Sequence, residues 1–172
     1  SMDWLRAVWG NSASDVFAVG DGGTILHYDG STWIQMASGS ASTFFAVRGR
    51  SANDVYAFGT GGHVIRWNGA EWTLVSPLTG RTFFGACGAG DRIFAVGDHG
   101  TIARFDYVGY ALLMEGVPQD LRGVWAATKS DVFAVGDAGM ILRGDGLGTW
   151  ERMSSGTTES LTLYTCVPRT EG

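Results

Sequence analysis

The sequence predicts an all-β fold built from four copies of one four-stranded unit. Three observations predict it: a repeat of 38–39 residues, a composition suited to strands and turns, and strands that are apolar on both faces. The repeat is marked by its glycines. Gly20, Gly59, Gly97 and Gly136 end equivalent apolar runs at spacings of 39, 38 and 39 residues, a period that chance does not hold through four copies. Glycine makes up 27 of the 172 residues, Asp outnumbers Glu 12 to 5, and the one lysine is Lys129. A chain poor in Glu and Lys and rich in Gly and Asp disfavours helix and favours strands and turns. With 45% hydrophobic residues it is a folded chain, long enough to bury a core without disulfide staples.

Each copy contains four short runs, a to d. Strand a spans 5–9 in the first copy and returns as Phe44 to Gly49, Phe83 to Gly88 and Leu121 to Ala126. Strand b spans 16–20 and reads Val16-Phe17-Ala18-Val19, then Val55-Tyr56-Ala57-Phe58, Ile93-Phe94-Ala95-Val96 and Val132-Phe133-Ala134-Val135. The Gly20-Asp21-Gly22-Gly23 segment joins it to strand c (24–28) as a tight turn, since glycine accepts positive φ. Strand c turns into strand d (32–36) through Asp29-Gly30, Asn68-Gly69 and Asp145-Gly146, all strong hairpin signals. No window has a helical period.

Strand b selects among all-β folds. Its runs are apolar at every position, so both faces must be covered. A two-layer sandwich wets one face of each sheet, whereas a β-propeller sandwiches each four-stranded blade between two neighbours. The expected architecture is one β-propeller domain over 1–172, with blades at about 5–38, 44–77, 83–116 and 121–154. Trp33, Trp72, Tyr110 and Trp150 recur at one position and read as blade packing. After Trp150 the usual 11 residues lead to Leu161, so 161–166 aligns with strand a of a fifth copy that lacks its other strands. An uncovered apolar strand invites pairing. It could dock on its own chain, pair with a second copy, or belong to a longer propeller; exchange between chains, giving a homo-oligomer, is the favoured expectation.

The unit Val8-Trp9-Gly10, Asp15-Val16-Phe17-Ala18-Val19-Gly20-Asp21-Gly22-Gly23-Thr24-Ile25-Leu26, Asp29-Gly30-Ser31-Thr32-Trp33 resembles the blades of bacterial tandem-repeat propellers. The similar groups are the photosystem II assembly-factor-like and the sialidase-like (BNR, or Asp-box) propellers, and the resemblance covers residues 5 to about 154. The box pattern Ser-x-Asp-x-Gly-x-Thr-Trp is matched one residue short, and the resemblance implies a structural role for it. A sialidase-like glycoside hydrolase fragment is the enzyme the resemblance allows, but that chemistry needs a six-bladed ring, an arginine cluster and a tyrosine nucleophile with its acid. Four copies do not supply six blades, and Arg66, Arg104 and Arg143 share one strand c position.

The residues argue against most chemistry. A net charge of −5 does not suit a nucleic-acid surface, and no run of 18 apolar residues suggests a membrane span. The segment beginning Ser1-Met2 has no basic stretch followed by an apolar one, so no signal peptide is expected there. Localisation is left open, a secreted or cell-surface bacterial protein being one option. His27, His63 and His99 fall at three different blade positions, without a metal-binding spacing. Cys87 and Cys166 lack zinc spacing; whether they bond is not decided by sequence, and two free thiols is the simpler reading. Asp15, Asp54, Asp91 and Asp131 precede strand b, and Asp21, Asp98 and Asp137 follow it. One acid per blade reads as a turn residue capping backbone N–H groups, and one carboxylate per loop is too few for calcium. No cofactor, metal or catalytic residue is expected.

Positions that vary between copies are the ones blade packing does not dictate. On strand a these are Trp9, Arg48, Cys87, Trp125 in one column and Arg6, Phe45, Phe84, Arg122 in another. Arg and Trp are hot-spot residue types, so Trp9, Arg48, Trp125, Arg6 and Arg122 are the candidate ligand-binding residues, facing a central channel or its mouth. The function expected is a non-catalytic interaction module with a protein partner; a lectin-like, carbohydrate-binding propeller is the alternative.

Overall fold

The computed structural model describes residues 4–75, 80–163 and 166. Among the described residues it holds sixteen strands and no α-helix. Four antiparallel sheets take four consecutive strands each. The first contains β1 (Leu5–Ser12), β2 (Asp15–Gly20), β3 (Ile25–Tyr28) and β4 (Trp33–Met36), and the second β5 (Phe44–Ser51), β6 (Asp54–Gly59), β7 (Val64–Trp67) and β8 (Trp72–Val75). The third contains β9 (Phe83–Ala89), β10 (Arg92–Gly97), β11 (Ile102–Phe105) and β12 (Tyr110–Met114), and the fourth β13 (Leu121–Thr128), β14 (Asp131–Gly136), β15 (Ile141–Gly144) and β16 (Trp150–Met153). The chain divides into two compact units, Ser1–Phe83 and Phe84–Gly172, two sheets in each. The expected end of the second blade at 77 lies outside the described residues.

Each unit has one core between its two sheets. In the first, Phe17, Val19 and Ile25 of the first sheet are buried with Phe44, Val47, Ala57 and Ile65 of the second. In the second, Phe94, Val96 and Ile102 are buried with Leu121, Val124, Ala134 and Leu142. The apolar strand b is thereby explained. Phe17 and Val19 point to one side of the pleat, Val16 and Ala18 to the other, and the Phe17 and Val19 side is the one packed on the second sheet.

The repeating glycines have a steric cause. A Cβ at Gly20 would overlap the Trp4 carbonyl, and one at Gly136 the Asp120 carbonyl. Those carbonyls accept hydrogen bonds from the next amide along, Asp21 N–H at 3.0 Å and Asp137 N–H at 2.9 Å. The chain entering strand a is tied there to the end of strand b. The b–c connection is a 3₁₀ turn whose second residue is left-handed: Gly22 at φ 61°, Gly61 at 64°, His99 at 52° and Ala138 at 56°. Every c–d connection is an Asx turn. Asp29, Asn68, Asp106 and Asp145 each accept two or more backbone N–H groups through one side-chain oxygen. These bonds hold the Asp29 and Asp145 carboxyls below the usual 3.8.

The chain end corrects two expectations. Residues 161–163 carry no strand pairing, but they follow the path of a fifth strand a: Leu161 N–H donates to Gly136 O at 3.0 Å, and a Cβ at Gly123 would overlap Leu163. The tail docks on its own chain, where the sequence favours exchange with a second copy. Residues 164–165 of the expected strand lie outside the described residues. Cys166 forms a disulfide with buried Cys87, with Cα atoms 5.5 Å apart across 79 residues of sequence, so the two-thiol reading does not hold. Sequence spacing carries no information on a pairing between residues so far apart.

Candidate functional site

Strand a and the turn between strands b and c meet at one edge of each sheet. Arg6 on β1 reaches Asp21 with Nε at 2.6 Å and Nη2 at 3.0 Å, and its guanidinium lies 5.4 Å from the Phe45 ring centroid. Arg122 on β13 does the same with Asp137 at 3.2 and 2.9 Å, adds Asp120 at 3.1 Å, and lies 4.7 Å from the Phe84 ring. The varying column Arg6, Phe45, Phe84, Arg122 thus resolves into two arginine–phenylalanine pairs, one within each unit. Hydrogen bonding to the carboxylate raises both guanidinium pKa values and lowers those of Asp21 and Asp137. Arg6 and Arg122 keep 38% and 35% of their side chains exposed. A guanidinium fixed by a fork of hydrogen bonds and backed by a ring is set to recognise a planar or hydrogen-bond-accepting surface without losing much side-chain entropy.

The other candidates lie deeper. Trp9 is half-buried, opposite Phe17 in the β1–β2 ladder with the rings 6.4 Å apart, and its six-membered ring fills the space above Gly49 of β5. Trp125 is half-buried opposite Phe133, with ring centroids 6.0 Å apart. Arg48 is buried, and desolvation pushes its pKa down. The indoles therefore pack against the cores of their own units and Arg48 is buried, while Arg6 and Arg122 are partly exposed. Trp72 is buried and Trp150 half-buried, in keeping with packing, whereas Trp33 and Tyr110 of the same column are exposed.

The aspartates before strand b have partners that were not expected. Asp15 meets His27 at 2.7 Å, Asp54 meets Arg66 at 2.7 Å and Arg50 at 2.6 Å, and Asp131 meets Arg143 at 2.8 Å. These carboxylates tie strand b to strand c through side chains, in place of the turn-capping role read from sequence. Antiparallel register is the reason. Phe17 lies opposite His27 and Phe133 opposite Arg143, so a residue two before that phenylalanine is a diagonal neighbour on the same face. The 12-residue spacing of Asp15/His27, Asp54/Arg66 and Asp131/Arg143 was a visible signal. Copy three departs: Arg104 approaches Asp106 at 3.2 Å and donates to Gly146 O at 3.2 Å. The histidines stay apart in role as well. His27 stacks on Phe17 with centroids 4.4 Å apart, His63 Nδ1 lies 3.5 Å from Ser40 Oγ, and His99 sits in its turn with its amide donating to Asp120. Among the described residues no three His, Cys, Asp or Glu side chains are grouped to hold a metal, and no helix is long and apolar enough to cross a membrane.

Each of the four sheets meanders through consecutive strands and packs face to face with the other sheet of its unit. Solved structures match this arrangement over nearly the whole chain. The WD40 propeller domain of Doa1 superposes with a TM-score of 0.78 at 10% identity, over 97% of this chain and 60% of that one. U3-55K gives 0.74 at 10% identity, over 94% and 55%. A chain of the COPII outer coat vertex gives 0.68 at 14% identity, over 92% and 52%. The fold is a β-propeller. Identities this low establish fold alone, and the chain spans about half the length of the solved chains it matches. No protein-family model and no curated protein matches the sequence, so the likeness to the photosystem II assembly-factor and Asp-box groups extends no further than the fold.

Proposed function

We propose that this chain is a non-catalytic propeller module, one domain over residues 1–172, that binds a protein partner at the strand a rim. The observation that carries the reading is the duplicated cluster Arg6–Asp21–Phe45 and Arg122–Asp137–Phe84. Both arginines are pre-oriented and partly exposed, the state in which Arg contributes most at an interface. Trp9 and Trp125, half-buried on the same strands as Arg6 and Arg122, supply apolar contact, and Arg48 is the buried member of the set. The Cys87–Cys166 bond suits an oxidising compartment, which favours a secreted or cell-surface setting.

Selection of peptides from a random phage-displayed library, followed by titration of the winners, tests this. Peptides should bind the chain and lose at least tenfold in affinity to an Arg6→Ala, Arg122→Ala double variant whose melting curve shows it folded. A glycan array run beside it decides the alternative. Glycan binding with no peptide selected would transfer the rim to a lectin role and end the protein-binding reading.

A further inference from the structure

The first residue of the turn after strand b and the second residue of strand a vary together. Copy one pairs Asp21 with Arg6 at 2.6 Å, and copy four pairs Asp137 with Arg122 at 2.9 Å. Copy two has neither charge: Thr60 stands in the turn and Phe45 on the strand. Copy three breaks the pattern. It keeps the acid, Asp98, but has Phe84 where the arginine would stand. Asp98 Oδ1 is shielded from solvent and has no hydrogen-bond partner among the described residues. A carboxylate oxygen in that state carries a desolvation cost that only a donor or a cation offsets.

The turn itself does not need the acid. Thr60 builds the same 3₁₀ turn: His63 N–H donates to Thr60 O at 3.1 Å, as Thr101 N–H donates to Asp98 O at 3.0 Å. The neighbours do not neutralise it either. Asp120 accepts the His99 N–H at 3.0 Å, which brings a second carboxylate to the same turn. Arg122 is shared between Asp120 at 3.1 Å and Asp137 at 2.9 Å. Its guanidinium lies 4.7 Å from the ring of Phe84, which is half-buried. Asp98, Asp120 and Asp137 thus stand with one guanidinium between them, and negative charge is in excess.

We infer that Asp98 is the docking point for a cationic side chain of the protein partner, a lysine or an arginine; this rests on the strand a rim being the binding surface. The partner's cation takes the place that Arg6 and Arg122 fill in their own copies. Asp98 is half-buried, so its carboxylate is open to the rim on one side. The carboxylate charge is spread over both oxygens, and a cation at the open side offsets the shielded oxygen as well. Phe84 beside it offers apolar surface to the stem of a long cationic side chain. Arg122 and Asp98 then read the partner together, the first donating hydrogen bonds and the second accepting them.

Amide NMR titration of the full chain at neutral pH tests this, with N-acetyl-lysine amide and N-acetyl-arginine amide as probes and N-acetyl-norleucine amide as the uncharged control. At least one cationic probe should shift the His99 and Gly100 amides to saturation, and the tighter of the two names the partner's residue. The norleucine amide should not. Asp98→Thr, which installs the residue of copy two, should weaken that binding at least about tenfold in a chain whose melting curve shows it folded. Phe84→Arg supplies the missing arginine from within and should weaken it as much. Shifts that the norleucine amide reproduces, that survive Asp98→Thr, or that never appear up to the solubility of the probes would overturn the inference. The rim reading fails separately, through the Arg6→Ala, Arg122→Ala variant. Peptides that need those arginines, yet carry no lysine or arginine and bind Asp98→Thr as tightly as the parent, would keep the rim and remove the cation site.

Discussion

At the residue scale the copies differ where backbone conformation and charge are least forgiving. Ala138 takes the left-handed conformation that Gly22 and Gly61 take in the earlier copies. A Cβ there costs on the order of 1 kcal/mol. Ala138→Gly should therefore raise stability by about 0.5–1 kcal/mol, seen as a melting temperature roughly 2–3 °C higher. The carboxylates give a pH dependence of defined sign. Asp21 and Asp137 have folded pKa values below the usual 3.8 because Arg6 and Arg122 hydrogen-bond their charged forms. A depressed carboxyl contributes stability above its unfolded pKa and loses it as pH falls through the folded one. An Asp21→Asn, Asp137→Asn variant should lose stability at neutral pH and show a shallower fall below about pH 4 than the parent in acid-titrated denaturation. Equal slopes would mean the two ion pairs do not form. The same arginines show the limit of reading single residues. Their types marked them as contact candidates, but that Asp21 and Asp137 hold them over the Phe45 and Phe84 rings was not visible in their columns alone.

At the element scale the turn between strands b and c is the joint of the repeat. Its third glycine abuts the linker to the next sheet: Gly23 N–H donates to Ser42 O and Gly139 N–H to Glu159 O, each at 2.8 Å. A Cβ at Gly23 would overlap the Ser40 carbonyl, and one at Gly139 the Thr157 carbonyl, both residues having positive φ. Backbone on the far side cannot yield as a side chain would. Gly23→Ala should cost about 2–4 kcal/mol in urea denaturation, more than alanine at solvent-facing Gly39. Ser155 and Thr157 reproduce the hydrogen bonds of Ser38 and Ser40. The chain past β16 thus repeats the bonding of the segment past β4.

At the scale of the whole molecule, the disulfide ties the end of the chain to the third sheet. Closing a loop of 79 residues removes chain entropy from the unfolded state worth about 4 kcal/mol on the loop-closure model. Reduction, or Cys166→Ser, should lower unfolding stability by up to about 4 kcal/mol, measured by guanidinium titration with and without reductant. An unchanged midpoint would mean the bond does not form in solution.

The sequence by itself determined the repeat, the four strands of each copy, the turn chemistry and the packing role of Trp72 and Trp150, because each of these depends on neighbours a few residues away or on a pattern repeated four times. Tertiary structure alone decided the Cys87–Cys166 bond, the stacking of Arg6 and Arg122 on rings from other sheets, and the exposure of Val8 where Val47 and Val124 are buried. Val8, Val47 and Val124 occupy the same place in the repeat, so local sequence carries the same instruction at each. What differs is whether another sheet lies across them, and that is a property of the assembled chain.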